Sequence, residues 1–196
     1  MADLIGEHSL RYLEGIDFVG KTIEQTARTS AREKCLDFGA GEGYSLRRIE
    51  PFIQNFKEIW AYDIVDTGLP RLNLELRNRV KFTHFLPCEK FDLITMFFVA
   101  HHAVYAIDQA VDLLTDNGII VIFDYHLKGK SREEVKRLCS SDLEREIIAR
   151  QGAEDFYQRV TAMSADDYAS RLSFLTDHSP KSRIVADKFC VVAGRK

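Results

Sequence analysis

Cys35-Leu36-Asp37-Phe38-Gly39-Ala40-Gly41-Glu42-Gly43-Tyr44 reads as an apolar strand that breaks into a glycine turn and opens a helix. Gly39 and Gly41 let the backbone turn tightly and approach a ligand with no Cβ in the way. A helix from Tyr44 to Ile49 aims its unpaired N–H groups at the same place. The spacing is G-x-G-x-G, whereas a dinucleotide turn of the form G-x-G-x-x-G needs a third glycine where Tyr44 stands. Asp37 lies two residues before the first glycine, with its carboxylate toward the turn. That charge repels a pyrophosphate and suits a ligand carrying an ammonium group.

The next strand, Glu58-Ile59-Trp60-Ala61-Tyr62, ends in Asp63, which follows Gly43 by 63 − 43 = 20 positions. A doubly wound fold presents a carboxylate to ribose hydroxyls at this interval. An ammonium group and a ribose on one ligand describe S-adenosylmethionine. The plainer readings are an ordinary strand-to-helix turn for the glycines and a solvated turn residue for Asp63.

With 196 residues, 45% hydrophobic and 29% charged, the composition is that of one globular domain, 1–196, with a sizeable core. The longest apolar run, Leu93 to Ala100, is interrupted by Thr95 and is far too short for a bilayer span. The start, Met1-Ala2-Asp3-Leu4, lacks the basic flank and long apolar run of a secretory signal, so the expected setting is intracellular and cytoplasmic. Cys35, Cys88, Cys139 and Cys190 form no C-x-x-C pair, so neither a zinc site nor a disulfide scaffold is expected, and no other metal constellation is visible. The net charge of −3 disfavours a protein held to nucleic acid by bulk electrostatics, without excluding a local basic patch.

Helical and strand periods alternate along the chain. Two helices are expected at Ile5 to Phe18 and Lys21 to Lys34, then a strand to Phe38 and a helix from Tyr44 to Phe52. A strand at Ile59 to Asp63, a helix near Pro70 to Asn78, and strands at Val80 to Phe85 and Phe91 to Phe97 follow. After a helix over Tyr105 to Leu114, the turn Thr115-Asp116-Asn117-Gly118 offers Gly118 for a positive φ. A strand from Ile119 to Tyr125 precedes a charged helical segment, Ser131 to Leu175, opened by the capping box Ser131-Arg132-Glu133-Glu134. Short strands at Ser182 to Val185 and Phe189 to Ala193 close an α/β, doubly wound arrangement.

From about Thr26 onward these motifs, in this order, resemble the class I S-adenosylmethionine-dependent methyltransferases. Leu36 to Gly43 is similar to the family's first motif and Tyr62-Asp63 to its second. Phe91-Asp92-Leu93-Ile94 with Ala100-His101-His102 is similar to its fourth, and Leu114 to Phe123 to the turn and strand that follow. Phe189 to Ala193 resembles a seventh strand that inserts antiparallel. The resemblance implies a Rossmann-like, seven-stranded, mostly parallel sheet whose last strand is antiparallel. It also implies N-terminal helices at 1–33, a cofactor-binding core at 34–130, a helical insertion over the acceptor site at 131–176, and closing strands at 177–196. By the same resemblance Gly39 and Gly41 flank the methionine moiety, Asp37 holds its ammonium group, and Asp63 with Ile64 meets the ribose. Phe85 and Leu86 lie by the adenine, although His84-Phe85 replaces the acid that often contacts its amino group. One of Phe97 and Phe98 is expected to face the cofactor, since successive strand residues point to opposite faces, and Phe97 is the expected contact.

His101 and His102 end the fourth strand beside the expected sulfonium. They either act on the acceptor, removing a proton or orienting it, or merely cap and pack beneath the next helix. Asp124, Tyr125 and His126 end the fifth strand, and Arg150, Tyr157, Arg159 and Tyr168 stand on the helical segment, either around an acceptor or as surface and core. The favoured partner is a small molecule methylated on O or N. Phe98-Val99-Ala100-His101-His102 also resembles a stretch of messenger-RNA cap guanine-N7 methyltransferases, and Arg47-Arg48, Arg77 to Lys81 and Lys128 to Lys136 are basic enough to keep capped RNA as an alternative. A catalytically silent partner subunit keeps the same fold, and an NAD-dependent oxidoreductase lacks its third glycine.

Overall fold

The computed structural model describes residues 7–27, 32–103, 105–185 and 187–196. The elements run α1 (Glu7–Ala27), β1 (Lys34–Phe38), α2 (Tyr44–Ile53), β2 (Glu58–Tyr62), α3 (Leu74–Arg79), β3 (Val80–Thr83), β4 (Phe91–Phe97), α4 (Tyr105–Asp112) and β5 (Leu114–Tyr125). Then come α5 (Arg132–Leu138), α6 (Asp142–Gln151), α7 (Ala153–Val160), α8 (Ala165–Leu175), β6 (Lys181–Val185) and β7 (Phe189–Arg195). The strands form one seven-stranded sheet in the order β3-β2-β1-β4-β5-β7-β6. Strands β1 to β5 pair in parallel, and β7 alone runs against its neighbours β5 and β6. The order reverses between β1 and β4. Open α/β sheets form their ligand crevice at such a switch point, beyond the carboxyl ends of the strands.

Two apolar layers cover the sheet, sorted by alternation along each strand. Cys35, Ile59, Leu93, Phe97, Val121 and Phe123 face α1, α2 and the helices that follow β5, and Leu36, Ile94, Met96, Ile120 and Ile122 face α4 and α8. The central strands are apolar on both sides, as strands buried between two helical layers must be.

Three expectations change. The two N-terminal helices are one helix through Ala27, the remainder of the second falling on 28–31, outside the described residues, and on the strand. Gly20 does not interrupt it. A Cβ there would stand 2.2 Å from the Phe52 ring, and one at Gly15 2.5 Å from the Phe123 ring, so these glycines are notches that let α1 lie close on α2 and β5. Gly118 has no positive φ either. It belongs to β5, and a Cβ there would meet the Phe91 carbonyl oxygen at 2.8 Å, so close approach of backbone is what requires glycine. The segment after β5 is four helices, three of which open on a serine capping box, at Ser131, Ser141 and Ser164.

Helix α6 is tied to the sheet by a buried ion pair. Glu144 meets Lys188, in the β6–β7 turn, at 2.5 Å with both side chains almost fully buried. The Tyr125 hydroxyl and Ser141 also donate to the same carboxylate. Removing one member of such a pair leaves a charge stranded out of water, which costs about 3–5 kcal/mol. Lys188→Met is therefore expected to lower unfolding free energy by about that amount in urea titrations, and the double replacement Lys188→Met with Glu144→Leu to recover most of it.

Candidate active site

The glycine turn leaves β1 with Gly39, Gly41 and Gly43 all at positive φ, 81°, 50° and 84°. The Gly39 and Ala40 amides both donate to the Tyr62 carbonyl, fastening the turn to the end of β2. At Gly39 a Cβ would fall 2.2 Å from Val99 Cγ2, so glycine is required twice over, by its backbone angle and by the β4–α4 loop pressed against it. At Gly41 nothing among the described residues lies within 4 Å of the Cβ position, and the turn opens there onto free space.

Asp63 follows β2 and reaches back to this turn. Its Oδ2 accepts from the Gly41 amide at 2.8 Å and its Oδ1 from the Val65 amide at 3.0 Å. Thr67 Oγ1 donates to the Gly41 carbonyl and the Arg71 side chain pairs with Glu42, so the segment after β2 holds the turn from outside. Ile64 and Phe85, at 80% and 72% exposure, and the partly exposed Leu86 rim the ends of β2 and β3. Thr83 fixes the Phe85 backbone through a hydroxyl turn. Phe97 is only 5% exposed and packs edge-on against Phe123, leaving little surface for a ligand.

Asp37 is the least expected group electrostatically. Its carboxyl is buried and lies on the same face of the sheet as Thr95 and Phe97 of β4. Oδ1 accepts from the Thr95 hydroxyl at 3.0 Å, while Oδ2 has no partner among the described residues. Burial pushes the carboxyl up to about 7; the Thr95 bond pulls the other way and the Asp63 charge adds to the rise. Sequence reasoning passed over Thr95, whose signal was there: one hydroxyl interrupting the apolar run of β4.

On the other side of the turn the two histidines have opposite partners. His101 is buried, with its Nδ1 2.6 Å from Asp124 Oδ1, and its amide donates to Asp124 Oδ2. Asp124 Oδ1 also accepts from the Tyr125 amide, so a fully buried carboxylate at the end of β5 gathers the β4–α4 loop onto the sheet. A carboxylate taking three donors requires the proton on His101 Nδ1, so the neutral form of the ring is the tautomer with its lone pair on Nε2. His102 stacks on His101 with centroids 4.0 Å apart, and its Nδ1 lies 2.9 Å from Arg159 Nη1 of α7. Partial burial, then the His101 ring and the Arg159 charge, lower His102 to about 4, against a smaller upward pull from Asp124 and Asp155.

Of the residues expected around an acceptor, Asp124 and Arg159 thus bond the histidines and Tyr125 packs edge-on against His101 at 5.3 Å, whereas the others do not meet them. Tyr125 and Tyr168 are core, His126 accepts from the Ala165 amide to start α8, Tyr157 bonds the Lys130 carbonyl, and Arg150 pairs with Glu146. Among the described residues no group of three or more His, Cys, Asp or Glu side chains converges as a metal site. None of the described helices is long and apolar enough to cross a membrane.

The Asp37 shift has a consequence for stability. Its folded value of about 7 lies above the unfolded range near 4, so the folded chain holds this proton more tightly. Its favourable contribution is complete below about pH 4 and is lost as pH rises through about 7. Without ligand, Asp37→Asn is expected to melt higher than the natural chain at pH 8, on the order of 5 °C, and the two to converge at pH 5; thermal melts at both values check this.

Residues 9–168 match a family model described as a methyltransferase domain. Among solved structures, the chain is similar to the plantazolicin methyltransferase BpumL, crystallised with a triazolic desmethylPZN analog and SAH, at 13% identity and TM-score 0.65 over 95% of this chain and 84% of that one. An O-methyltransferase family protein from Burkholderia thailandensis is 12% identical with TM-score 0.60, over 98% and 61% of the two chains. The CurJ carbon methyltransferase is 16% identical with TM-score 0.66, over 92% of this chain and 53% of its own. No curated protein sequence matches. Structural likeness at such identities speaks for the fold, which is the class I, Rossmann-like sheet described above. The match to the family model spans well over half of the sequence, and the chain belongs to the methyltransferase-domain family.

Proposed function

We propose that the protein is an S-adenosylmethionine-dependent methyltransferase whose acceptor is a hydroxyl oxygen of a small molecule. The observation that carries this reading is the buried Asp37 Oδ2, without a partner among the described residues, on the strand that runs into the open Gly41 turn. A buried acceptor of this kind needs a donor, and the donor's ammonium group supplies one with the right charge. The remaining residues fit the same ligand. Asp63 has lone pairs left for ribose hydroxyls while it steadies Gly41, and Ile64, Phe85 and Leu86 offer apolar surface to an adenine ring. When bound, S-adenosylmethionine supplies a methyl group already activated on a sulfonium.

What this chain adds is alignment, exclusion of water and handling of one proton. A hydroxyl is a weak nucleophile until its proton leaves, and His101 Nε2 is the base. Asp124 holds the ring in the required tautomer and stabilises the positive charge it gains. An amine acceptor would have less need of this dyad. Capped RNA is disfavoured because much of the basic sequence is already engaged: Arg77 and Arg79 bond backbone carbonyls, and Lys81, Lys128 and Arg132 pair with Glu58, Asp167 and Glu154.

Isothermal titration is expected to show S-adenosylhomocysteine binding at micromolar affinity and no binding of NADH; the reverse would overturn the donor assignment. Because only the ionised Asp37 pairs with the ligand ammonium, affinity should fall by about tenfold per pH unit below pH 7. A flat profile would remove Asp37 from that role. Asp63→Ala should weaken binding by about 1.5–3 kcal/mol through its charged hydrogen bonds. With a hydroxyl acceptor found from small-molecule pools, Asp124→Asn should lower turnover on the order of 10²–10⁴-fold while the affinity for S-adenosylhomocysteine stays within twofold, roughly the scale of lost general-base catalysis.

A further inference from the structure

The two stacked imidazoles are fixed by partners of opposite character. His101 Nδ1 faces a carboxylate that already accepts two amide donors. His102 Nδ1 faces a guanidinium at 2.9 Å, a group with donors only. The first contact demands a proton on Nδ1 and the second forbids one there. Arg159 is itself steadied from its own helix, since its Nε bonds Asp155 Oδ2 at 2.9 Å one turn earlier on α7.

We propose that Arg159 is a positioning residue of the acceptor site, which by donating to His102 Nδ1 fixes His102 as a neutral imidazole with its proton on Nε2. The stacked rings then present one lone pair, on His101 Nε2, and one N–H, on His102 Nε2. Two rings with the same tautomer would instead present two acceptors or two donors. The pair suits an acceptor whose reacting hydroxyl has a hydrogen-bond-accepting oxygen beside it: His101 takes the proton and His102 holds the neighbour. The use made of the pair rests on the hydroxyl-acceptor reading; the tautomers themselves do not. The groups that face His102 are His101 and Asp124 from the sheet side and Asp155 and Arg159 from α7. Partial burial first, then the neighbouring His101 ring and the Arg159 charge, disfavour a charge on its ring, which agrees with its low titration range.

The test is long-range proton–nitrogen NMR on the full chain with nitrogen-15 histidine, free of ligand, from pH 5.5 to 8, the two rings being identified by their loss in His101→Gln and His102→Gln. Expected are a protonated Nδ1 on His101, a bare Nδ1 and protonated Nε2 on His102, and no titration of His102 across the range. Arg159→Met should let His102 populate both tautomers and bring the onset of its titration into the acid end of the range, with His101 unchanged. Arg159→Lys, which keeps a charged donor, should restore the single tautomer. A proton on His102 Nδ1 in the natural chain, a His102 midpoint between 6 and 7, or an Arg159→Met spectrum identical to the natural one would overturn the proposal. All of these are read without cofactor or acceptor, so failure to bind S-adenosylhomocysteine or to transfer a methyl group would undo the functional reading and leave this result standing by itself.

Discussion

The carboxyl of Asp37 is kept out of water with only one of its oxygens hydrogen-bonded, and the ligand end of the sheet is arranged around that fact. An isolated buried carboxylate is among the costlier groups a fold can contain, and the usual escape is to remain protonated. Here the escape is partial: burial pushes the group up to about 7, with the Thr95 hydroxyl holding one oxygen and Asp63 adding negative charge nearby. The result is a group poised to ionise when a cation arrives. On the proposed donor assignment, ligand binding and protonation at Asp37 are therefore linked. Asp63 contributes twice, as a charge felt by Asp37 and as the acceptor that shapes the Gly41 turn.

Much of this was legible in the sequence because it lies in short segments with local causes. The apolar runs of β1, β4 and β5, the glycine spacing and the strand-end aspartates depend on residues a few positions apart, and the strand assignments hold to within two residues except that β5 begins at Leu114, taking in the expected turn Thr115 to Gly118. What could not be read depends on distant partners. Gly20 looks like a helix breaker until Phe52 is seen to occupy the space beside it. His101 and His102 look alike in sequence, and only the contacts with Asp124, 23 residues on, and Arg159, 57 residues on, give them opposite tautomers. Tyr168 reads in sequence either as an acceptor-site aromatic or as a buried anchor, and its ring, among the most deeply buried on the α8 face of the sheet, is the anchor.

The connection from β3 to β4 contains no helix, and the face of β2 and β3 opposite α2 is finished in another way. Trp60 and Tyr62 are only half-buried there. Phe91 packs edge-on against Trp60, the Lys81 ammonium lies 5.2 Å from the Trp60 ring, and Glu58 accepts from both the indole N–H and Lys81. Long charged side chains laid over an aromatic cover apolar surface while their heads stay in water. Phe85 stands in this short connection, exposed at the rim of the proposed adenine end.

The turn that ends β4 shows why the site is rigid on its acceptor side. Phe98 has a φ of 56°, a left-handed conformation that costs a bulky residue roughly 1–3 kcal/mol. Its ring lies against Phe123, Tyr125 and Phe189 at centroid distances of 5.1, 5.1 and 5.6 Å, and its amide donates to the Phe123 carbonyl, which together offset that cost. The reversal at Phe98 turns the chain from strand to loop at once. Val99 then presses on Gly39, and His101 falls onto Asp124. The packing that offsets the strain at Phe98 therefore sets one loop against both the glycine turn and the carboxylate that holds the proposed base.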